Sequence, residues 1–208
     1  MVKLVDARDS KSRRGNPVSV RFRPPAKTSL SFSSKLYYNI LFFYFVGVIF
    51  LVKVLFVCLG NICRSPAAEA VMTKLIALNR LEDVISVDSA GTSGYHIGSE
   101  ADRRMKKAGE KRGFTFTSRS RQIRKEDLKS FDYIIAMDQQ NYIDIISLDY
   151  NGEHKEKVFQ LKEFCSNPAI TEVPDPYYGG EEGFQNVLDI LEDGCLHLLT
   201  KIRDERRL

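Results

Sequence analysis

The chain has 208 residues, a hydrophobic content of 43% and a net charge of +4. The positive charge is concentrated at one end: residues 1–50 carry nine Lys or Arg against two Asp or Glu, which is +7, so residues 51–208 carry −3. The basic balance therefore belongs to the N-terminal segment, and the remainder gives no electrostatic indication of nucleic-acid binding. About 150 residues is an ordinary length for one domain that buries its own core.

Residues 1–52 form an extension of unusual composition. The first 34 residues are rich in Arg and Ser, and residues 36–52 are an apolar run, LYYNILFFYFVGVIFLV. Three interpretations compete: a cleaved targeting peptide, a membrane anchor, and sequence that is not naturally coding. Seventeen residues are near the lower limit for a membrane span, and the run continues into the first predicted core strand without a linker. A signal peptide would need a small-residue cleavage site, which residues 49–52 lack.

Residues 4–26, LVDARDSKSRRGNPVSVRFRPPA, look like the peptide obtained when a bacterial tRNA gene is read as protein. We therefore expect that translation starts further downstream and that the folded domain spans residues 53–208. There is no Met between Met1 and Met72, so initiation would use a non-Met codon, near Leu51 or Val52. Membrane association is expected only if residues 36–52 are a real anchor. Detection in cells of a tryptic peptide from residues 1–50 would contradict the downstream start.

From residue 53 onward, short apolar runs alternate with helical patterns. Buried strands are predicted at residues 53–57, 84–87, 133–137 and 157–161. Helices are predicted at residues 66–79, 101–112, 139–149 and 184–206, and Gly113 is a stop signal for the second. This alternation predicts an α/β fold with three layers, in which a four-stranded parallel sheet has helices on both faces. Active sites of such folds lie at the C-terminal ends of the strands.

The loop after the first strand, CLGNICRS at residues 58–65, is the most informative segment. Between a strand and a helix N-terminus, backbone N–H groups converge and the helix dipole favours anions. The same field stabilises a thiolate at Cys58, and Arg64 offers a planar fork to phosphate oxygens. Gly60 and Asn61 both tolerate the positive φ that an inward-bending loop requires. The pattern predicts a phosphate-binding loop with a nucleophile at its base; the alternative is a buried Cys that ends a core strand.

Four segments in order resemble the low-molecular-weight protein tyrosine phosphatases. VLFVCLGNICRSPAAEAV resembles their phosphate-binding loop, and VPDPYY at residues 173–178 resembles their general-acid loop. VDSAGTSGY at residues 87–95 and YIIAMD at residues 133–138 fit between them, so the resemblance covers residues 53 to about 203. It implies a cytoplasmic hydrolase that needs no metal or other cofactor. It also implies tyrosine-phosphorylated proteins as partners, among them, in bacteria, the tyrosine kinases of polysaccharide export.

The resemblance implies three catalytic residues. Cys58 attacks phosphorus and becomes a cysteinyl-phosphate, and Arg64 binds two equatorial oxygens. Asp175 protonates the leaving phenolate, whose pKa is near 10, and then activates the water that hydrolyses the intermediate. An Asp between two prolines is otherwise more often a turn former. Charge on the phosphate is further stabilised by the loop, which comprises Leu59, Gly60, Asn61, Ile62, Cys63 and Arg64.

Supporting roles are predicted around the loop. The Ser65 hydroxyl either stabilises the thiolate or is a plain helix N-terminal Ser. By resemblance, Asn61 holds the loop in its binding shape through side-chain hydrogen bonds, with Ser89 and Asp138 as partners at strand ends. Family members often have a His where Ser118 stands here, and this departure removes an imidazole from the usual support of the loop. A solvated loop residue is the interpretation favoured for Ser118.

Other side chains of the expected cleft have two interpretations each. The resemblance implies that Cys63 forms a disulfide with Cys58 under oxidation and so protects the nucleophile; the alternative is a small apolar residue packed under the loop. Tyr95, Tyr177 and Tyr178 are predicted to wall the cleft and stack on an aromatic substrate. Each of the three is equally consistent with a half-buried surface aromatic.

Related functions on the same fold are weighed by particular residues. Arsenate reductases relay oxidation through an additional close cysteine pair, whereas Cys165 and Cys195 are far apart in sequence. Protein arginine phosphatases tend to carry Thr where Ile62 stands, so Ile62 favours tyrosine phosphate. A non-catalytic phosphopeptide-binding module should lack the acid, and the presence of both Cys58 and Asp175 argues against it. No CxxC pair or His cluster indicates zinc, and free thiols favour a reducing cytosol.

Overall fold

The structure, a computed structural model, describes residues 51–208 of the chain. Within them, four parallel strands form one sheet in the order β2-β1-β3-β4, with β1 at Val52–Cys58, β2 at Ile85–Gly91, β3 at Tyr133–Ala136 and β4 at Val158–Gln160. The helices of this part are α1 at Arg64–Leu78, α2 at Arg103–Lys111, α3 at Lys125–Ser130, α4 at Gln139–Ser147 and α5 at Glu181–Arg206. Single 3₁₀ turns at Lys155–Lys157 and Leu161–Phe164 flank β4.

The central strand β1 is buried on both faces because its side chains alternate between two cores. Val54 and Phe56 belong to the larger core, which includes the apolar residues of α1 and α5. Leu55 and Val57 belong to the smaller core, to which α3 and α4 contribute. The predicted three-layer α/β fold with a four-stranded parallel sheet is confirmed.

Helix α5 closes the larger core through an apolar stripe. Residues such as Phe184, Leu188, Leu191 and Leu198 recur at helical spacing and are fully or almost fully buried. Helix α3 was not predicted from the sequence. It has only six residues, and only Leu128 among them is buried, so the segment carries too little periodicity to be detected.

Strand order and register bring three strand ends together beneath the loop at residues 59–63. In β1, Cys58 pairs with Gly91 of β2, and Val57 pairs with both Ala90 of β2 and Ala136 of β3. The chain thus continues to β2 on one side of β1 and later to β3 on the other. In open parallel sheets, ligands bind in the crevice at such a switch point.

No helix in residues 51–208 has the length and apolar character needed to cross a membrane. The predicted extension at residues 1–52, including the apolar run at residues 36–52, lies outside the described residues except for its last two. Whether it is translated stays a prediction.

Candidate active site

The loop at residues 58–65 curls around the sulfur of Cys58 at the end of β1. Asn61 adopts a φ of 52°, in the left-handed region, and its backbone N–H donates to Cys58 Sγ at 3.2 Å. The hydroxyl of Ser65 lies 3.1 Å from the same sulfur, and Cys58 is only 3% exposed. Helix α1 begins at Arg64, within this segment, so its N-terminal dipole adds to these donors. The surroundings of this sulfur therefore favour negative charge on it.

The guanidinium of Arg64 is buried and is oriented by three acceptors. One terminal nitrogen donates to the Asp138 carboxylate at 2.5 Å and to the carbonyl of Val173 at 3.2 Å. The other donates to the Asp175 carboxylate at 3.1 Å. Burial alone would lower the pKa of Arg64, but the charges of Cys58, Asp138 and Asp175 outweigh it and raise the pKa above its usual value. The group therefore stays cationic although it is only 4% exposed.

The side chain of Asn61 ties the loop to β2 and to the segment before α3. Its amide nitrogen donates to Ser65 Oγ at 2.9 Å and to Ser89 Oγ at 2.8 Å. Its carbonyl oxygen accepts from the backbone N–H of Arg121 at 2.9 Å. The Ser89 hydroxyl in turn donates to Glu69 at 2.6 Å. Ser89 is thus placed beside Asn61 as expected, whereas Asp138, expected near Asn61, contacts Arg64 instead.

Glu69 extends this network, and it was not singled out from the sequence. It lies four residues after Ser65, on the same face of α1, and this spacing is the signal that could have identified it. Burial raises the pKa of Glu69, while the hydrogen bond from Ser89 and the nearby hydroxyl of Ser118 partly offset the rise. Ser118 lies in a loop near this carboxylate and is half-buried.

The sulfur of Cys58 lies at the base of a cleft of about 250 Å³. The lining of this cleft includes Cys58, Arg64, His96, Asp175, Tyr177 and Tyr178. The rings of Tyr177 and Tyr178 pack edge to face, with centroids 5.1 Å apart; Tyr178 is 95% exposed and Tyr177 39%. The candidate nucleophile, phosphate-binding cation and acid thus share one cavity, with aromatic rings beside the acid.

Tyr95, predicted as a third aromatic wall, does not line this cleft. Its side chain is 85% exposed and borders a neighbouring depression together with Gln122. The chain turns at residues 95–98, so the next residue, His96, faces the cleft instead. The His96 ring lies beside Gly60, since a Cβ at Gly60 would be 3.1 Å from its Cδ2. His96 was missed because only the turn brings it to the loop.

All four cysteines lie in the described residues and are free thiols. Burial, reinforced by the charge of Asp102, raises the pKa of Cys63, so this thiol stays protonated at neutral pH. Burial likewise raises the pKa of Cys165 to about 11 and raises that of the fully buried Cys195. Cys63 borders the cleft, whereas Cys165 and Cys195 do not.

Comparison with known proteins gives one consistent result. Residues 53–208 match the family model described as low molecular weight phosphotyrosine protein phosphatase. A low molecular weight protein-tyrosine-phosphatase of Bacillus subtilis is 39% identical over 159 residues, which are 76% of this chain and 100% of that protein. The crystal structure of a protein tyrosine phosphatase from Entamoeba histolytica has a TM-score of 0.72 at 51% identity, covering 74% of this chain and 99% of that one. A Drosophila arginine phosphatase has a TM-score of 0.69 at 30% identity, with coverage of 73% and 98%.

Proposed function

The chain belongs to the low molecular weight phosphotyrosine protein phosphatase family and is a protein-tyrosine-phosphatase, and we propose that it works through a cysteinyl-phosphate formed on Cys58. The observation that carries this mechanism is the shared cleft, into which Cys58, Arg64 and Asp175 all project. An arrangement of nucleophile, cation and acid around one cavity supports phosphoryl transfer without further groups.

In the first step, the thiolate of Cys58 gives an electron pair to phosphorus while the bond from phosphorus to the phenolic oxygen breaks. Arg64 and the inward amides of the loop bind the equatorial oxygens and stabilise their charge. Asp175 transfers its proton to the leaving oxygen, so that the product departs as a neutral phenol. The position of Asp175 supports this role, because it borders the same cleft as Cys58, beside Tyr177 and Tyr178.

In the second step, the Asp175 carboxylate accepts a proton from a water molecule as that water attacks phosphorus. The bond from sulfur to phosphorus breaks, and Cys58 leaves as a thiolate with its electron pair. Ser65 Oγ, 3.1 Å from the sulfur, stabilises this departing anion, as does the Asn61 N–H. Inorganic phosphate is the second product.

Through its two terminal nitrogens, Arg64 couples the binding of substrate to the loss of its own hydrogen bond with Asp175. One terminal nitrogen of Arg64 donates a hydrogen bond to the Asp138 carboxylate, and the other donates to the Asp175 carboxylate. A phosphate dianion in the loop is a stronger acceptor for that second nitrogen than a single carboxylate. Substrate binding therefore frees Asp175 from Arg64 and allows it to carry a proton to the leaving group.

The substrates that we propose are tyrosine-phosphorylated proteins, and in a bacterial cell a tyrosine kinase is among them. The exposed rings of Tyr177 and Tyr178 at the cleft support an aromatic phosphate as the bound group. Four free thiols and a reaction that needs a thiolate support a reducing, cytoplasmic location. The protonated thiols of Cys165 and Cys195, away from the cleft, do not support the redox relay of an arsenate reductase.

The mechanism is tested with Cys58→Ser and Asp175→Ala in the full chain. Cys58→Ser should abolish turnover of aryl phosphates. Asp175→Ala should slow phenyl phosphate by about 10²- to 10⁴-fold, and a nitrophenyl phosphate much less, because a better leaving group needs less protonation. Asp204→Ala, at an exposed carboxylate near the end of α5, is the matched control. An unchanged rate of Asp175→Ala on phenyl phosphate would refute the acid assignment.

Substrate class is tested by turnover of phosphotyrosine, phosphoarginine and arsenate under the same conditions. Phosphotyrosine should be hydrolysed fastest. Faster turnover of phosphoarginine or arsenate would replace the proposed function by that of the corresponding relative on this fold.

A further inference from the structure

The first turn of helix α2 contacts both loops of the active site. Just before the helix, the backbone N–H of Asp102 donates to the carbonyl of Ile62 in the phosphate-binding loop at 2.7 Å. Two residues later, the guanidinium of Arg104 donates to the carbonyl of Tyr177 in the acid loop at 2.9 Å. The loop that holds the nucleophile and the loop that holds the acid are therefore fastened to one short, rigid piece of backbone.

The guanidinium of Arg104 is itself fixed from several directions. The Asp102 carboxylate accepts from Arg104 Nε at 3.1 Å, from one terminal nitrogen at 2.9 Å and from the Arg104 backbone N–H at 2.8 Å. The ring centroids of Tyr177 and Phe184 lie 5.1 and 5.0 Å from the guanidinium carbon. The remaining terminal nitrogen is the one that reaches Tyr177. This geometry uses the planar fork of an Arg and cannot be reproduced by Lys.

Asp175 lies midway between two anchor points of its loop. On the N-terminal side, the fully buried Val173 donates to the carbonyl of Met137 at 2.9 Å and accepts from Arg64 at 3.2 Å. On the C-terminal side, the Tyr177 N–H donates to Asp175 Oδ1 at 3.0 Å, and the Tyr177 carbonyl accepts from Arg104.

The second anchor depends on Arg104. In the part of the chain that the structure describes, its bond to Tyr177 is the only hydrogen bond from residues 176–179 to another element. Two glycines, Gly179 and Gly180, follow before α5 begins, and they do not restrain this end of the loop. Pro176 is buried and lies beside Gly183 of α5, so apolar packing also holds this end of the loop. Arg104 adds the hydrogen bond that fixes its backbone to α2.

We propose that Arg104 is a positioning residue for the general acid. By tying Tyr177 to the same turn that holds Ile62, it sets the separation between the Asp175 carboxyl and a phosphate bound above Cys58. Proton transfer to the leaving oxygen is sensitive to this separation, since a displacement of about 1 Å costs roughly 10²-fold in rate. This inference rests on the proposed role of Asp175 as the acid.

The role is distinct from a contribution to overall stability. The side chain of Arg104 is 49% exposed, so its ion pair with Asp102, whose side chain is 13% exposed, is open to solvent on the Arg104 side. Exposed pairs of this kind contribute little to the free energy of unfolding. Loss of the guanidinium should therefore leave the fold intact and change the proton-transfer step.

The test uses Arg104→Met in the full chain and compares substrates with poor and good leaving groups. This substitution keeps an apolar side chain against the rings of Tyr177 and Phe184 and removes every side-chain hydrogen-bond donor. Turnover of phenyl phosphate should fall by roughly 10- to 100-fold, and that of a dinitrophenyl phosphate by less than about threefold. Arg104→Lys should restore only part of the lost rate, because an ammonium can donate to the Tyr177 carbonyl but lacks the planar fork that also binds Asp102. Inhibition by inorganic phosphate should be unchanged, because the phosphate-binding loop keeps its bond to Asp102. Equal losses on both substrates, or no loss on either, would overturn the proposal.

Arg103→Met is the matched control on the same turn of α2. Its side chain is exposed and makes no hydrogen bond or ion pair within residues 51–208, so both rates should match the wild type. If Arg103→Met lost as much turnover as Arg104→Met, the effect would come from the positive charge of α2 and not from the bond to Tyr177, which would overturn the proposal.

A double variant separates this inference from the acid assignment. If Arg104 acts through Asp175, Arg104→Met should add no further loss to Asp175→Ala on phenyl phosphate. A multiplied loss would overturn the positioning role while leaving Asp175 as the acid. An Asp175→Ala enzyme that is as fast as the wild type would instead refute the proposed mechanism itself.

Discussion

The hydroxyl of Ser65 lies 3.1 Å from the sulfur of Cys58, although Ser65 belongs to helix α1 and Cys58 ends strand β1. The hydroxyl makes no capping hydrogen bond: Cys63 is the N-cap residue of α1, and Ser65 is the second residue of the helix. It accepts from Asn61 at 2.9 Å, which leaves its proton for the sulfur or for the carbonyl of Ala90 at 3.2 Å. This geometry supports the thiolate-stabilising interpretation of Ser65.

Replacing Ser65 by Ala should lower turnover by roughly 10- to 100-fold, which corresponds to the loss of a hydrogen bond to a charged group. The hydroxyl favours negative charge on the sulfur both when it attacks and when it leaves. The measurement is kcat on a nitrophenyl phosphate, for which protonation by Asp175 matters least. Ser130→Ala, at an exposed hydroxyl of α3, is the control, and equal rates for the two variants would contradict the assignment.

Asn61 combines two sources of stability that different substitutions can separate. Both Asn61→Ala and Asn61→Gly lose the three side-chain bonds to Ser65, Ser89 and Arg121, at a cost of about 3 kcal/mol. Only Ala is strained at a φ of 52°, so Asn61→Gly should be the more stable variant by about 1 kcal/mol. Urea unfolding of both variants measures the difference. A less stable Gly variant would show that the left-handed backbone is not maintained.

The phosphate-binding loop and the central strands could be predicted from the sequence, because each is determined by residues that are close together in the chain. Cys58, Arg64 and the turn residues between them occupy seven consecutive positions, and the central strands are unbroken apolar runs, so both were predictable. The approach of Asp175 to Arg64 joins residues 111 apart in sequence. That approach was expected only through the resemblance, since no local pattern distinguishes an acid from a turn-forming Asp.

The prediction that failed for Tyr95 and the residues that were missed concern side chains whose neighbours are set by tertiary structure. Ser118 has no local pattern that reveals its proximity to Glu69, because one lies in a loop and the other in α1. Tyr95 and His96 are adjacent in sequence, and only the turn that contains them determines which one faces the cleft. Arg104 stands among other basic residues of α2, and its bond to Tyr177 emerges only when the acid loop is in place.

Alanine substitutions at two glycines should separate a change in catalytic rate from a change in the packing of the core. A Cβ at Gly91 would lie 2.8 Å from the carbonyl oxygen of Leu59 and 3.2 Å from the backbone nitrogen of Asn61, so Gly91→Ala must displace the phosphate-binding loop. We expect kcat/KM to fall by about 10-fold or more. A Cβ at Gly194 would instead meet the buried side chain of Leu161 at 2.9 Å.

Gly194→Ala therefore should lower the free energy of unfolding by about 1 kcal/mol, as overpacking outweighs the gain in helix propensity, without changing the activity of the folded enzyme. The two variants are compared by urea unfolding and by kinetics on the same preparations. Loss of activity in Gly194→Ala at unchanged stability would contradict this division.

The half-buried carboxyl of Glu69 should make stability depend on pH. Burial raises its pKa in the folded protein above the ordinary value of 4.5, which applies to the unfolded chain. As the pH rises from that ordinary value through the raised one, the unfolded chain loses its proton first, so the free energy of unfolding of the wild type falls relative to that of Glu69→Gln. The stability of the variant minus that of the wild type should therefore increase across this window and be constant on either side of it. Urea unfolding at a series of values between roughly pH 4 and pH 8 measures the difference. Glu82→Gln, at an exposed position, is the matched control and should not show the increase; a difference for Glu69→Gln that is flat with pH would contradict the prediction.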